Sequence, residues 1–287
     1  GTVTAACLRG LPDAVVRGKL MSAYGQAVGN VIPSVDGKVL KQTIQAAYAA
    51  GANIKVPVMN GSNENETLLF VALTEFGARF AAKPPNFNPA DRSFLMTPEA
   101  YAAGAKVAAA QQGLSAADLT EKYYPLGRFG DDLALQPSLA TGAAGTDSTF
   151  SCNGVNVSAR IAAQGAPIWM YEFRDQTAVP LIGMVGGRYV LSLPQGAAHA
   201  YELPYLFGMA ASQNAEQTAL KATMSTYWTN FAKTGDPNGA GVPAWAKFKG
   251  GTVQALDVAS GGGVTAMTAD AFRDQHLCKT AWAKQTF

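Results

Sequence analysis

Acid–base chemistry in this chain has to run through very few residues, because its 287 positions include only two histidines, His199 and His276. His199 sits in Gly196-Ala197-Ala198-His199-Ala200-Tyr201-Glu202-Leu203, a loop of small residues entering an apolar segment. A lone histidine is structural by default, but a tight loop on a rigid scaffold is where much of catalysis is held. Glu202 adds a second ligand type beside it, yet no further His, Cys or Asp stands at a spacing that completes a metal set. His276 lies among polar neighbours in a predicted terminal helix and reads as a surface residue.

Glu66 closes the run Asn60-Gly61-Ser62-Asn63-Glu64-Asn65-Glu66, directly after a predicted buried strand. Active sites of open α/β sheets form at the carboxyl ends of strands. On local sequence alone, however, Glu66 reads as an acid favouring the first turn of the next helix. The same run contains glycosylation triplets at Asn60 and Asn65, with a third at Asn156; such triplets are common by chance, and a glycan beside an active-site acid would be awkward. A serine nucleophile of this fold class needs a G-x-S-x-G elbow, and none is present. Ser62 has the leading glycine but the wrong sequel, and Ser260 lacks the leading glycine. No Walker loop, dinucleotide fingerprint or HExxH occurs, so no cofactor or metal is implied.

Composition narrows the classes further. Hydrophobic residues make up 48% and charged residues 15%, which fits a packed globular chain. A net charge of +2 without a basic stripe argues against a nucleic-acid partner. Apolar runs such as Leu68 to Leu73 are far too short to span a bilayer. Gly1-Thr2-Val3 does not begin a secretory leader, since no basic stretch precedes an apolar one. Cys7, Cys152 and Cys278 lie far apart without CxxC spacing, and by count alone read as buried thiols.

The elements that must position these residues alternate between helical and extended character. Helices are predicted over Asp13 to Leu20, Gln42 to Ala50 (closed by Gly51), Leu68 to Phe76, Ala116 to Tyr123, Asp147 to Ala163 and Asp270 to Lys284, with another opening at Thr97-Pro98-Glu99. Asn214 and Gln217 form a capping-box pair ahead of the apolar stripe Leu220, Met224, Tyr227, Trp228 and Phe231, which Gly235 and Pro237 end. Ile54 to Met59 and Pro167 to Phe173 read as buried strands, and Val253 to Val258 as a further one. Few strands among many helices predict only part of an α/β sheet.

Taken together, several segments resemble the carboxylesterase type B, or cholinesterase-like, family. Cys7-Leu8-Arg9 resembles its C-L-R motif, and Pro33 with Asp36-Gly37 its P-x-x-D-G turn. Val56 through Glu66 is similar to the strand and G-x-N-x-D-E loop of the catalytic acid, with Asn65 in place of the usual Asp and Thr67 in place of the following Gly. Thr146-Asp147 with Phe150 and Cys152 resembles T-D-x-x-F-x-C, Ile168 to Phe173 the Y-x-Y-x-F strand, and Gly196 to Leu203 the histidine loop G-x-x-H-x-x-E-L. Tyr227 to Asn238, followed by Pro243-Ala244-Trp245, is the most specific match.

The resemblance implies an α/β-hydrolase fold, with residues 1–287 as the C-terminal half of a single catalytic domain. Glu66 would be the acid and His199 the base of a serine esterase acting on a small-molecule ester. The nucleophilic serine would come from an N-terminal half carrying the elbow. Cys152 and Cys278 would pair as the family's C-terminal disulfide, leaving Cys7 unpaired within the chain, and a disulfide points to a secreted or periplasmic setting. Phe207 and Trp169 are candidate walls of an acyl or alcohol pocket, with core packing the alternative for each. Two other functions stay open: a non-catalytic cholinesterase-like binding or adhesion module, and an intact small protein with an unrelated binding role.

Overall fold

The computed structural model describes residues 4–24, 33–52, 54–208 and 213–284. The chain divides into two compact units, Gly1–Asn53 and Ile54–Phe287. The first contains α1 (Ala5–Arg9), α2 (Asp13–Tyr24) and α3 (Ile44–Ala49). Thr4 and Thr43 cap α1 and α3 by accepting backbone N–H groups, and Gly51 follows α3 at φ 66°. Asp36 accepts three successive N–H groups, from Lys38, Val39 and Leu40, which fixes the Asp-Gly turn. Cys7 is an exposed free thiol.

The second unit is built on a four-stranded mixed sheet. Its elements are β1 (Val58–Asn63), α4 (Leu68–Ala81), α5 (Pro98–Gln112), α6 (Gln136–Thr146), α7 (Cys152–Ala163), β2 (Ile168–Phe173), the short hairpin β3 (Met184–Val185) and β4 (Arg188–Tyr189), α8 (Leu203–Phe207), α9 (Ala215–Thr234), β5 (Thr252–Leu256), β6 (Thr265–Thr268) and α10 (Ala269–Gln275). The order is β1-β2-β5-β6, with β1, β2 and β5 parallel and β6 antiparallel to β5. Asn63 pairs with Phe173 and Phe173 with Leu256, so the three parallel strands end in one row. Whatever follows Asn63 therefore emerges at the carboxyl edge of the sheet.

The first strand starts four residues later than Ile54. A strand exists only where a neighbour supplies hydrogen-bond partners, and β2 begins opposite Val58; Ile54 and Val56 are exposed instead. The edge strand β6, largely exposed and without an apolar run, had no signal in the sequence. In α9 the capping box forms in both directions, Leu220, Met224 and Tyr227 are buried, and Gly235 closes the helix at φ 75°. α4 buries Leu68, Val71, Ala72, Glu75 and Arg79. The Glu75–Arg79 pair is fully consumed: Arg79 donates to Asn88 O, Asp91 O and Ser192 Oγ, while Glu75 accepts from the N–H groups of Ser192 and Leu193. A buried ion pair is tolerated on those terms. It pins α4 to the chain segment that leads into the histidine loop.

His276 is a correction to the surface reading. α10 stops at Gln275 rather than running to Lys284, and the chain turns back through Leu277 at φ 53°. This carries His276 inside, at 3% exposure. Its Nδ1 lies 2.5 Å from Asp147 Oδ1 and its Nε2 2.5 Å from Glu172 Oε1. Asp147 also accepts from the Tyr124 hydroxyl, which in turn accepts from Trp282 Nε1. Two ring nitrogens facing two carboxylates must both donate, so the ring is an imidazolium. Burial alone would lower its pKa; the hydrogen bonds that the ring donates to Asp147 and Glu172 outweigh burial and raise it to about 10. Burial first, then Asp147, pushes the Tyr124 hydroxyl far up as well. The Cys152–Cys278 disulfide joins α7 to this returning segment, with Cα atoms 5.3 Å apart.

His276→Ala would leave two buried carboxylates without their cation, and should lower the unfolding free energy in urea by about 3–5 kcal/mol at neutral pH. Because the folded pKa is raised above the unfolded value, this stabilisation is complete below the ordinary histidine value of 6.5 and disappears as pH rises through about 10. The stability gap between parent and variant should close across that window; a gap that persists above it would refute the imidazolium. Replacing Cys152 and Cys278 together by serine should cost about 2–5 kcal/mol, read from the same titration.

Candidate active site

The site is assembled where β1 ends. Asn63 is the last residue of β1, and its N–H donates to Glu66 Oε1 at 2.8 Å, bending the loop back on the strand that launched it. The second oxygen, Glu66 Oε2, lies 2.6 Å from His199 Nδ1. Residues 133 positions apart thus meet in one hydrogen bond. The loops are joined by backbone contacts too: His199 N–H donates to Glu66 O, Asn65 N–H to Ala197 O, and Ala197 N–H to the Asn65 side-chain oxygen. The Asn63 amide spans both, donating to Ala198 O at 2.7 Å and to Glu202 Oε2 at 2.6 Å.

Local conformation at the histidine is unusual. Ala200, next to His199, has φ 68°, a left-handed backbone that costs of order 1–3 kcal/mol for a residue with a Cβ and that clusters at active sites. Gly196 has φ 57°, and a Cβ there would come within 2.5 Å of the Asn65 side-chain oxygen. Only glycine lets the loop take that turn and still receive Asn65.

Glu66 and His199 differ sharply in exposure, the carboxylate side chain being 8% exposed and the imidazole 43%. Burial raises the Glu66 pKa, while the Asn63 N–H and His199 pull it down. Nδ1 is occupied by the carboxylate, and among the described residues Nε2 has no hydrogen-bond partner. The ring is flanked by two aromatics: Phe70 and Phe150 each place a ring centroid 5.4 Å from it and stack on one another. Phe70 stands four residues after Glu66, on the first turn of α4, and Phe150 lies in a π-helical turn, Asp147–Ser151, between α6 and α7. The i, i+4 spacing of Phe70 from Glu66 was a readable signal; the π turn was not.

The other candidate residues fall elsewhere. Trp169 is 2% exposed and packs edge-on against Phe231 with Lys247 Nζ over its ring, so it belongs to the core rather than to the wall of the site. Phe207 is 73% exposed at the end of α8. Asn60 donates to Gly154 O and Ser158 Oγ, and Asn65 is engaged with Ala197, so both amides hold the fold together. Thr67, where the resembling family has glycine, is accommodated by Gly145, at which a Cβ would meet the Thr67 methyl at 2.6 Å. Among the described residues no group of His, Cys, Asp or Glu is placed to hold a metal ion, and no helix is long and apolar enough to cross a membrane.

Known proteins point the same way. The carboxylesterase 4A of Bos taurus is 30% identical over 105 residues, 36% of this chain and 18% of that protein. The medium-chain fatty acyl-CoA hydrolase precursor of Anas platyrhynchos is 32% identical over 105 residues, with the same shares. The cocaine esterase of Homo sapiens is 32% identical over 136 residues, 46% of this chain and 22% of that protein. The matched stretch thus spans about a fifth of each relative's length. The model of the carboxylesterase family matches residues 2–273, nearly the whole chain, and the mixed sheet with its flanking helices is the architecture of that family. With α/β-hydrolase architecture and a match of that extent, the chain belongs to the carboxylesterase family.

Proposed function

We propose that this chain supplies the acid and the base of a serine-dependent carboxylic ester hydrolase, as the C-terminal half of one catalytic domain. The observation that carries the reading is the 2.6 Å contact between Glu66 Oε2 and His199 Nδ1, with Nε2 left without a partner on a ring that is 43% exposed. The serine is contributed from outside these 287 residues, on a G-x-S-x-G elbow, and its Oγ attacks the ester carbonyl. Nε2 takes the proton as the C–O bond to serine forms, then returns it to the departing alcohol; water repeats the sequence to release the acid. Glu66 keeps the remaining proton on Nδ1, which makes Nε2 the acceptor, and stabilises the imidazolium when it forms. Its own burial strengthens that interaction by excluding water. Phe70 and Phe150 border the space beside the ring and face the ester as apolar surface. The Cys152–Cys278 disulfide supports an oxidising, extracytoplasmic setting.

In a preparation that also supplies the serine, His199→Ala should nearly abolish hydrolysis of p-nitrophenyl acetate. Glu66→Gln should lower kcat on the order of 10⁴-fold, the scale of a misplaced tautomer. Full turnover in either variant would remove that residue from the mechanism. The 287-residue chain alone should show no hydrolysis sensitive to a serine-directed phosphonate, and mass spectrometry should find no adduct on it. A stoichiometric adduct would instead identify a nucleophile within the chain and overturn the assignment of the serine to another segment.

A further inference from the structure

His276 reaches the site by a route that passes through the core. Its Nδ1 lies 2.5 Å from Asp147 Oδ1, and Asp147 opens the π-helical turn Asp147–Ser151. Phe150, three residues on, lies against the His199 ring with centroids 5.4 Å apart. One short turn thus meets both histidines, the first through a carboxylate and the second through an aromatic ring. Its neighbours run to the acid as well. Thr146, just before the turn, accepts from the N–H of Thr67, the residue after Glu66, at 3.0 Å. Ser151 Oγ, at its end, lies 3.4 Å from Ser62 Oγ on β1.

The turn is tied at both ends to the returning C-terminal segment. Asp147 is bound to His276 by the hydrogen bond, and Cys152, the residue after Ser151, to Cys278 by the disulfide. A π turn is a rare departure from the α-helix and is found often at functional sites. His276 also reaches β2, where its Nε2 lies 2.5 Å from Glu172 Oε1. Glu172 stands opposite Ser62 in the β1–β2 register, so the ring fixes the turn to the strands that deliver Glu66. The charges around it leave no substitute for the imidazolium. Beyond Glu172 stand Arg174 and Glu64, paired with one another, and the Tyr124 hydroxyl is the other donor to Asp147. Without the cation, Asp147 and Glu172 would repel each other inside the core.

We propose that His276 is a positioning residue for His199: it holds Asp147, and through the π turn it sets Phe150 against the His199 ring. The consequence for turnover rests on the esterase reading, whereas the coupling between the two histidines does not. The Glu66 hydrogen bond fixes Nδ1 alone and leaves the ring free to tilt about that contact. Of the two flanking aromatics, Phe150 is half-buried and Phe70 is exposed, so Phe150 is the firmer wall. Tilt decides where Nε2 points, and a misplacement of about 1 Å can cost on the order of 10²-fold in rate.

Because the chain has only two histidines, labelling histidine with carbon-13 at Cε1 gives one NMR resonance from each. In His276→Gln, which removes the charge at similar volume, the His199 resonance should be displaced while near-ultraviolet dichroism remains that of a folded chain. In a Phe150→Leu background the same substitution should displace it no further. An undisplaced His199 resonance in folded His276→Gln, or a full displacement without Phe150, would overturn the proposal. If His276→Gln does not fold, the parent decides. As His276 loses its proton at about pH 10, the His199 resonance should shift in step, and Phe150→Leu should abolish that shift. A His199 resonance indifferent to the His276 titration would overturn the coupling. In the serine-supplied enzyme, His276→Gln should lower kcat per phosphonate-titrated site on the order of 10²-fold with KM little changed. It should cause no additional loss in Phe150→Leu. An unchanged kcat per site would overturn the positioning role. Absence of hydrolysis in every enzyme, the parent included, would instead count against the esterase reading, leaving the resonances to decide the coupling.

Discussion

A carboxylate removed from water has to be hydrogen-bonded, and the surroundings of Glu66 follow from that requirement. One oxygen is satisfied by the Asn63 N–H and the other by the His199 ring. Neither contact survives unless β1 ends where it does, because Asn63 is both the last strand residue and the donor. The strand ends there because its register against β2 puts Asn63 opposite Phe173. The histidine loop must then be delivered to the same place, which the Glu75–Arg79 clamp achieves by fixing Ser192 and Leu193 a few residues upstream. Sheet register, a helix-borne ion pair and a glycine turn at position 196 therefore converge on one hydrogen bond.

The two histidines show how environment separates chemistry from architecture. His276 and His199 both face carboxylates, although their sequence contexts, a polar helix and a small-residue loop, suggest nothing in common. His276 has both nitrogens committed and almost no exposure, so it has no proton to exchange with anything outside the core. Its charge is used to join α10, β2 and the turn after α6. His199 has one nitrogen committed and one without a partner among the described residues. That asymmetry is what general acid–base catalysis needs: the bound nitrogen sets the tautomer, and the open one does the transfer.

What was legible in the sequence was mostly local. The caps at Thr97 and Asn214, the stops at Gly51 and Gly235, and the strand Ile168–Phe173 are written in a few adjacent residues. The Cys152–Cys278 pairing and the approach of Glu66 to His199 are long-range, and were reached through family resemblance, not through any periodicity of the chain. His276 was misread because polar neighbours such as Arg273, Asp274 and Gln275 extend a helical pattern that the backbone abandons at Leu277. Tertiary demand won there: two buried carboxylates needed a cation more than the segment needed another helical turn. Trp169 illustrates the converse, since an aromatic near a site in sequence is more often a core residue than a pocket wall.

The exposed face of α4 connects the site's geometry to the proposed mechanism. Phe70, Leu73 and Phe80 are each more than two-fifths exposed, and their three- and seven-residue spacing places them along one side of the helix. Phe70 also lies against the His199 ring, as Phe150 does. The exposed apolar residues therefore begin beside the His199 ring and run away from it along α4. Isolated exposed apolar residues need no explanation, whereas several along one side of a helix beside the half-exposed His199 ring offer a surface for contact. On the proposed reading, a serine reaches Nε2 only if the segment bearing it also seats near Phe70, where burial of apolar area holds it. The energy that fixes the nucleophile would then come from that surface, and the hydrogen bond to Nε2 would have only to orient it. Such a division of labour suits a transfer step, because a nucleophile positioned chiefly by packing leaves Nε2 free to exchange the proton.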